Sequence, residues 1–411
     1  MNKTLNNLRF TVKPSISEGE RALELARTIG VHPLTYQELP FDPEYSIYAG
    51  RLTPEKLSNA TAEEMYWKVR RELIFRHTGE HPYEISGPDA LKLLQKIFPR
   101  DISKVKKGRC SYQFACYHDG GMITDGILLR INDDTYWFAQ ADGDMFSWYK
   151  AQAEGLNVKI VDPNVWVSQI QGPRSMELLD ILTKTNISSN WKYFDCKEVN
   201  ILGEKIIISR SGFSNELGWE IYFRQENDIE KLGDLILKEG SKMGMIITAT
   251  PVFRCRRIEA GLLSAGQDFT NKTDPFSVGL GRFVDLEKDN FIGKEALKNS
   301  NKKCRTWGLR VEKGTAMKGK NLKINGKIVG EITSSTWSPY QVCGVGIVRM
   351  QNNNMGPGTV VDVNCTNGKI QKGELCELPM YDPNGDIVRG KNKEIPNKPC
   401  LLYTSDAADE L

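Results

Sequence analysis

Two carboxylates stand where the surrounding residues ask for an apolar strand. Glu220 lies in Gly218-Trp219-Glu220-Ile221-Tyr222-Phe223, and Asp125 lies in Met122-Ile123-Thr124-Asp125-Gly126-Ile127-Leu128-Leu129. Burying a carboxylate in such a run is costly unless it is paired or accepts hydrogen bonds. A ligand with two adjacent N–H donors would satisfy Glu220 on both counts. A solvated edge strand or a neighbouring arginine would do so without any ligand. For Asp125 the readings are a strand carboxylate placed for a ligand, with Gly126 permitting a bulge and close ligand approach, or an aspartate that caps a bulge or bonds nearby backbone amides. His77 and His81 sit four apart, but no Glu or Cys spacing around them completes a familiar metal motif.

The elements that must position these groups follow from periodicity and turn chemistry. Residues 1–55 read as a polar, proline-punctuated N-terminal arm with a helix over Ser17–Ile29. Thr61 is a good N-cap for a helix running to Phe75, with Glu63 and Glu64 in its first turn and Met65, Val69 and Leu73 on one face. Strand 82–85 turns through Gly87-Pro88 into a helix bearing Leu91, Leu94 and Ile97, and a meander of strands follows over 111–117, 122–130 and 135–141. The pattern Ile-Ser-Gly-Pro-Asp-Ala at 85–90 recurs as Ile-Gln-Gly-Pro-Arg-Ser at 170–175, a weak internal repeat that predicts two related α+β units. From Lys303, short strands punctuated by Gly330 and Gly356-Pro357-Gly358 predict a small β-barrel.

Composition excludes several classes. The chain has 411 residues, 40% of them hydrophobic, and 55 Lys+Arg against 52 Asp+Glu leave a net charge of +3. That balance gives no polyelectrolyte signal for nucleic acid. No window has the apolar length of a membrane span, and the amino terminus has no signal-peptide pattern, so a cytoplasmic protein is expected. Nine scattered cysteines with no Cys-x-x-Cys pair read as reduced thiols rather than a disulfide framework or zinc site. Residues 383–411 read as a tail, of which 400–411 resemble translated adapter read-through and are set aside as non-native.

Over about residues 60–380 the chain resembles the aminomethyltransferase (glycine-cleavage T-protein) family of tetrahydrofolate enzymes. The resemblance rests on motifs in order: His118-Asp119-Gly120-Gly121-Met122-Ile123-Thr124-Asp125, Ile170-Gln171-Gly172-Pro173, Gly212 to Glu220, Arg257-Ile258-Glu259-Ala260-Gly261-Leu262, and Phe291 to Leu297. It implies an α+β fold of three domains around a folate channel: two α+β units within 56–300 and a barrel over 301–382. It implies tetrahydrofolate as cofactor, Asp125 as the catalytic carboxylate and Glu220 as the group that binds the pterin ring. Tyr112, Tyr136 and Phe138 correspond to ring-packing positions, and Phe213, at a further cofactor-binding position, replaces the tyrosine of the family's usual Gly-Tyr-Thr motif. The arginine expected to hold the folate tail is replaced by Phe253, leaving Arg254 or Arg282 to supply that charge.

The run from Gly261 to Gly281 looks more like the folate-dependent dimethylsulfoniopropionate demethylase branch, and Glu80 aligns with a glutamate of that branch. Its Gly-Trp-Ser-Lys-Gln loop is Gly212-Phe213-Ser214-Asn215-Glu216 here, which returns to the glycine-cleavage pattern. The expected activity is a methyl or aminomethyl transferase acting on a small-molecule donor, with a demethylase of an onium compound as the leading reading. On that reading Glu80 and Trp219 hold the donor. A lipoyl carrier protein is expected only on the glycine-cleavage branch, a homodimer is left open, and no nucleic acid or membrane partner is expected. The competing class is a folate-binding protein without turnover. Relatives of that kind carry a Lys-Gly-Cys-Tyr motif near Lys288–Glu295, where this chain has no cysteine.

Overall fold

The computed structural model describes residues 29–143, 145–186 and 190–398. All but the last residue of the helix expected over Ser17–Ile29, and the whole of 400–411, lie outside them. Strands β1 (Glu44–Tyr48) and β2 (Arg51–Lys56) form a hairpin, so the arm is more structured than its polar composition suggests. Its turn residues Ala49 and Gly50 have φ of 49° and 74°, the left-handed pair that a two-residue hairpin loop requires.

Helix α1 (Ala62–Arg71) opens on a capping box: Thr61 Oγ1 accepts from the Glu64 amide at 3.2 Å, and the Glu64 carboxylate accepts from the Thr61 amide at 2.8 Å. It stops short of Phe75 because Ile74–Thr78 form strand β3. Those residues gain ladder partners on two later strands, and sheet pairing overrides the four-residue repeat.

The internal repeat becomes a repeat of seven elements. The first unit runs β4 (His81–Ser86), α2 (Ala90–Ile97), β5 (Arg109–Cys116), β6 (Met122–Arg130), β7 (Thr135–Gln140), α3 (Met145–Gln152) and β8 (Lys159–Val161). The second runs β9 (Trp166–Gln171), α4 (Ser175–Thr183), β10 (Cys196–Ile201), β11 (Glu204–Ser209), β12 (Gly218–Phe223), α5 (Ile229–Ser241) and β13 (Ile246–Ile247). Their sheets have strand orders 5-6-7-4-8 and 10-11-12-9-3-13, so β3 is inserted into the second sheet although it precedes the first unit. The Gly-Pro turns match in detail. Gly87 and Gly172 have φ of 113° and 128°, and a Cβ on Gly172 would lie 2.3 Å from the Glu72 carbonyl oxygen.

Each sheet packs helices on one face. Leu93, Leu94 and Ile97 of α2 and Tyr149 of α3 cover Ile85, Leu128, Tyr136 and Phe138. Leu178 and Leu182 of α4 and Leu232 and Ile236 of α5 cover Ile208, Trp219, Ile221 and Phe223. The two opposite faces turn toward each other, where Leu129, Trp137 and Ala139 meet Val167, Ile207 and Tyr222.

Helix α6 (Thr250–Ala260) and short helix α7 (Lys294–Asn299) lead to a closed barrel of β14 (Thr306–Val311), β15 (Asn321–Ile324), β16 (Lys327–Ser338), β17 (Cys343–Met350), β18 (Val360–Asn364) and β19 (Ile370–Cys376). A buried clasp ties the barrel to the units. Arg256 pairs with Glu216 at 2.9 Å and with Glu259, and Arg70 reaches Glu216 at 3.3 Å. Ser338 of the barrel donates to Glu259 at 2.5 Å, Tyr66 of α1 donates to it at 2.9 Å and Tyr381 at 2.7 Å.

Candidate functional site

Strand alternation decides which side chains look into the space between the sheets. On β12, Trp219, Ile221 and Phe223 face the helices, so Glu220 and Tyr222 face inward. Register extends this into a polar row across four strands, Ser209–Glu220–Gln169–Arg76, each residue directly opposite the next. All four are buried. Four buried polar groups in one row, on a sheet whose other face is apolar, are hard to account for by packing alone.

Glu220 accepts from Gln169 Nε2 at 3.0 Å on one oxygen, and from Ser211 at 2.5 Å, Tyr222 at 3.1 Å and Ser209 at 3.3 Å on the other. Of the alternatives to a ligand, the solvated edge strand and the neighbouring arginine are both corrected: β12 lies inside the sheet, and uncharged donors of the protein hold the carboxylate. Among the described residues none of its partners is a cation, and burial, with the charge of Glu80 adding, pushes its pKa up to about 7. The Gln169 Oε1 atom beside it is buried without a hydrogen-bond partner.

Asp125 is on the inward face of β6. Tyr112, beside it on β5, donates to Asp125 Oδ2 at 2.8 Å, which holds the carboxyl down, but burial prevails and its pKa rises to about 6. The reading of Gly126 as a bulge or ligand approach is corrected. A Cβ there would lie 2.3 Å from the Ala139 carbonyl oxygen, so glycine is required by the neighbouring strand, and the bulge falls at Ala115/Cys116.

Close enough to Glu220 to act on its charge stands Glu80, whose Oε2 is buried without a hydrogen-bond partner. The N-terminal hairpin delivers Tyr48 to the same place: Glu80, Asp125 and Asp142 all raise the pKa of its phenol, which burial raises most.

The structure thus brings Asp125, Tyr112, Glu220 and Glu80 to one space. Arg282 lies at its outer edge, close enough to act on the Tyr112 phenol, with its guanidinium over the Phe283 ring at 4.8 Å. Phe213 packs in the cluster that contains Phe253. Four expected site residues are elsewhere. Tyr136 and Phe138 share the α2 face of their sheet with Leu128, because ladder neighbours point the same way. Trp219 is on the α4 face, donating from Nε1 to the Ser175 carbonyl at 3.1 Å. Arg254 turns outward to an ion pair with Glu55 at 3.0 Å.

Sequence reasoning missed Tyr48, Gln169 and Arg76. Tyr48 had no signal, since Ala49-Gly50 lacks the usual Asn-Gly mark of a hairpin. Arg76, alone between Phe75 and His77 in an otherwise buried strand, carried the same signal as Glu220. Among the described residues no three His, Cys, Asp or Glu side chains are grouped to hold a metal ion. His77 stacks on His32 with ring centroids 4.8 Å apart, while His81 bonds Asp162 at 2.7 Å. No helix of the described residues is long and apolar enough to cross a membrane.

The GCVT N-terminal domain family matches residues 32–288, and the glycine cleavage T-protein C-terminal barrel domain family matches residues 305–382. An aminomethyltransferase from Lysinibacillus sphaericus is 32% identical over 370 residues, 87% of this chain and 98% of the relative. One from Bacillus subtilis is 31% identical over 315 residues, 74% of this chain and 86% of the relative. The dimethylsulfoniopropionate demethylase of Ruegeria pomeroyi is 29% identical over 331 residues, covering 79% and 90%. The crystal structure of glycine cleavage system aminomethyltransferase T from Bartonella henselae superposes with a TM-score of 0.78 at 21% identity, covering 86% of this chain and 98% of that one.

Proposed function

For a chain that belongs to the glycine-cleavage T-protein family, and is therefore a one-carbon transferase that uses tetrahydrofolate, we propose transfer of a methyl group from a small cationic donor to N5 of tetrahydrofolate. The observation that carries this reading is the set of inward carboxyl groups, Asp125, Glu220 and Glu80, which no cation of the described residues contacts.

The residues present fit a reduced pterin. Glu220 and the free Gln169 Oε1 offer adjacent acceptors on one wall. Tetrahydrofolate supplies a weak nitrogen nucleophile when bound. Glu220 orients it, since an acceptor aimed at paired N–H groups fixes the ring in its plane. Tyr112 borders the space, whereas the interior Tyr136 and Phe138 take no part. Asp125, with a pKa near 6, is ionised at neutral pH yet basic enough to take up a proton, and its charge favours positive charge developing opposite it. The Tyr112 hydroxyl holds that carboxylate in place.

The cationic donor is supported by Glu80 and Tyr48, a carboxylate and an aromatic ring at the same place. A sulfonium such as dimethylsulfoniopropionate has this chemistry. A second reading, transfer of an aminomethyl group carried on a lipoyl protein, is favoured by the names of the L. sphaericus and B. subtilis relatives. Anaerobic incubation with tetrahydrofolate and a donor panel, with mass detection of product, separates the two. The first predicts 5-methyltetrahydrofolate from a methylated onium compound. Appearance of 5,10-methylenetetrahydrofolate and ammonia from an aminomethylated carrier, with no onium donor consumed, would overturn it.

A further inference from the structure

Arg76 is a buried guanidinium that no carboxylate of the described residues touches. Its Nη2 donates to Thr250 Oγ1 at 3.0 Å, its Nη1 is buried with no hydrogen-bond partner, and no carboxylate of the described residues lies within ion-pair distance. A buried cation left so is expensive, and a structural arginine normally has its partner within reach, as Arg256 does.

The surrounding carboxyl groups do not fill the role. Glu55 is taken by Arg254 at 3.0 Å. Glu38 accepts from Tyr45 at 2.7 Å, and burial pushes its pKa up to about 8, which leaves it largely neutral at pH 7. Glu80 acts on Arg76 from a distance but does not touch it. The ring of Phe253 lies 4.8 Å from the guanidinium carbon and closes one side. Gln169, its ladder neighbour, separates it from Glu220, so the cation and that carboxylate are two strands apart on one wall, about 10 Å.

We infer that Arg76 is a carboxylate-binding residue of the one-carbon transfer site, holding an anionic group of one of the two small-molecule reactants through its free Nη1. This rests on the folate-dependent reading above and adds to it a second recognition point on the Glu220 wall. Two sources share the chemistry: the glutamyl tail of the folate, and a carboxylate on the donor. Arg254 and Arg282 serve less well, one paired at the surface and the other beyond Tyr112.

Arg76→Gln and Arg76→Lys, titrated calorimetrically against two matched pairs of probes, test the assignment. One pair is tetrahydrofolate and 6-methyltetrahydropterin, the ring without the tail. The other is dimethylsulfoniopropionate and trimethylsulfonium, added without any folate so that nothing turns over. In Arg76→Gln the carboxylate-bearing member of one pair should bind roughly 10- to 100-fold more weakly, the range for hydrogen bonds to a charged group, while its carboxylate-free partner is unchanged. The pair affected names the source, and Arg76→Lys should recover part of the loss. Unchanged affinity for all four probes would overturn the inference. So would equal weakening of all four with a lowered melting temperature, which would make Arg76 a structural residue. If the natural chain itself binds neither folate nor pterin, it is the folate-dependent reading that fails.

Discussion

Around Arg256 the buried acids and bases meet one another, whereas along the inner faces of the two sheets Arg76, Glu220 and Asp125 do not. In the clasp, Arg256, Arg70, Glu216 and Glu259 are matched two against two and sealed by hydroxyls from Tyr66, Tyr381 and Ser338. Among the described residues, the inward groups have hydrogen bonds but no counter-charge within ion-pair distance. Both regions are buried and drawn from several elements, so burial of charge alone does not mark a reaction site. Matching does: a matched set resists separation, while an unmatched one gains from whatever brings the missing charge.

The clasp offers the severest test of this distinction. Arg256→Ala leaves Glu216 and Glu259 without their main partner and should cost about 3–5 kcal/mol of stability, read from the denaturant midpoint. A loss below about 1 kcal/mol would mean the clasp is no more structural than the inner faces. Asp125→Asn should do the reverse, lowering turnover by roughly 10²-fold or more while melting temperature and folate affinity hold. If affinity and melting temperature collapse together, Asp125 is a structural residue.

Glu220→Gln trades function for stability. Folate binding should weaken by roughly 1.5–3 kcal/mol in a titration. The pKa of this carboxyl is raised on folding, so the folded state holds its proton more tightly and natural-chain stability falls as pH rises from the ordinary carboxylate range to about 7. The glutamine variant escapes that loss. Without ligand it should equal the natural chain near pH 4 and exceed it at pH 8 by roughly 1–3 kcal/mol, measured by denaturant melts. Equal pH profiles would show that the charge is not penalised. The smallest effect is expected from Tyr48→Phe, which keeps the ring. It should change the donor concentration needed for half-maximal rate only a few-fold, and a turnover roughly a hundredfold slower would make the hydroxyl a direct participant.

Much of this arrangement was legible before the structure. Glu220 and Asp125 announced themselves as charges inside apolar strands, and the Gly-Pro turns announced the paired units, because burial and backbone demands act on single residues. The side chains beside them were harder. Trp219, one residue from Glu220, faces the opposite side, and Tyr136 and Phe138 do the same on β7, since alternation is plain only when the inward face is known. Arg76 and Gln169 come from strands far apart in sequence, and only register places them in one row with Glu220.

Because β3 is inserted into the second sheet, it must wait for β9, whose register with it joins Ile74 to Gln171 across the whole first unit. Closing a loop of that length costs entropy before any ladder bond repays it, which makes the pairing a late step in folding. Until it happens Arg76 and Glu220 share no sheet. A ribosome-bound chain that ends just after β8 therefore carries Asp125 but no wall to face it, and one-carbon chemistry waits for the second unit to arrive.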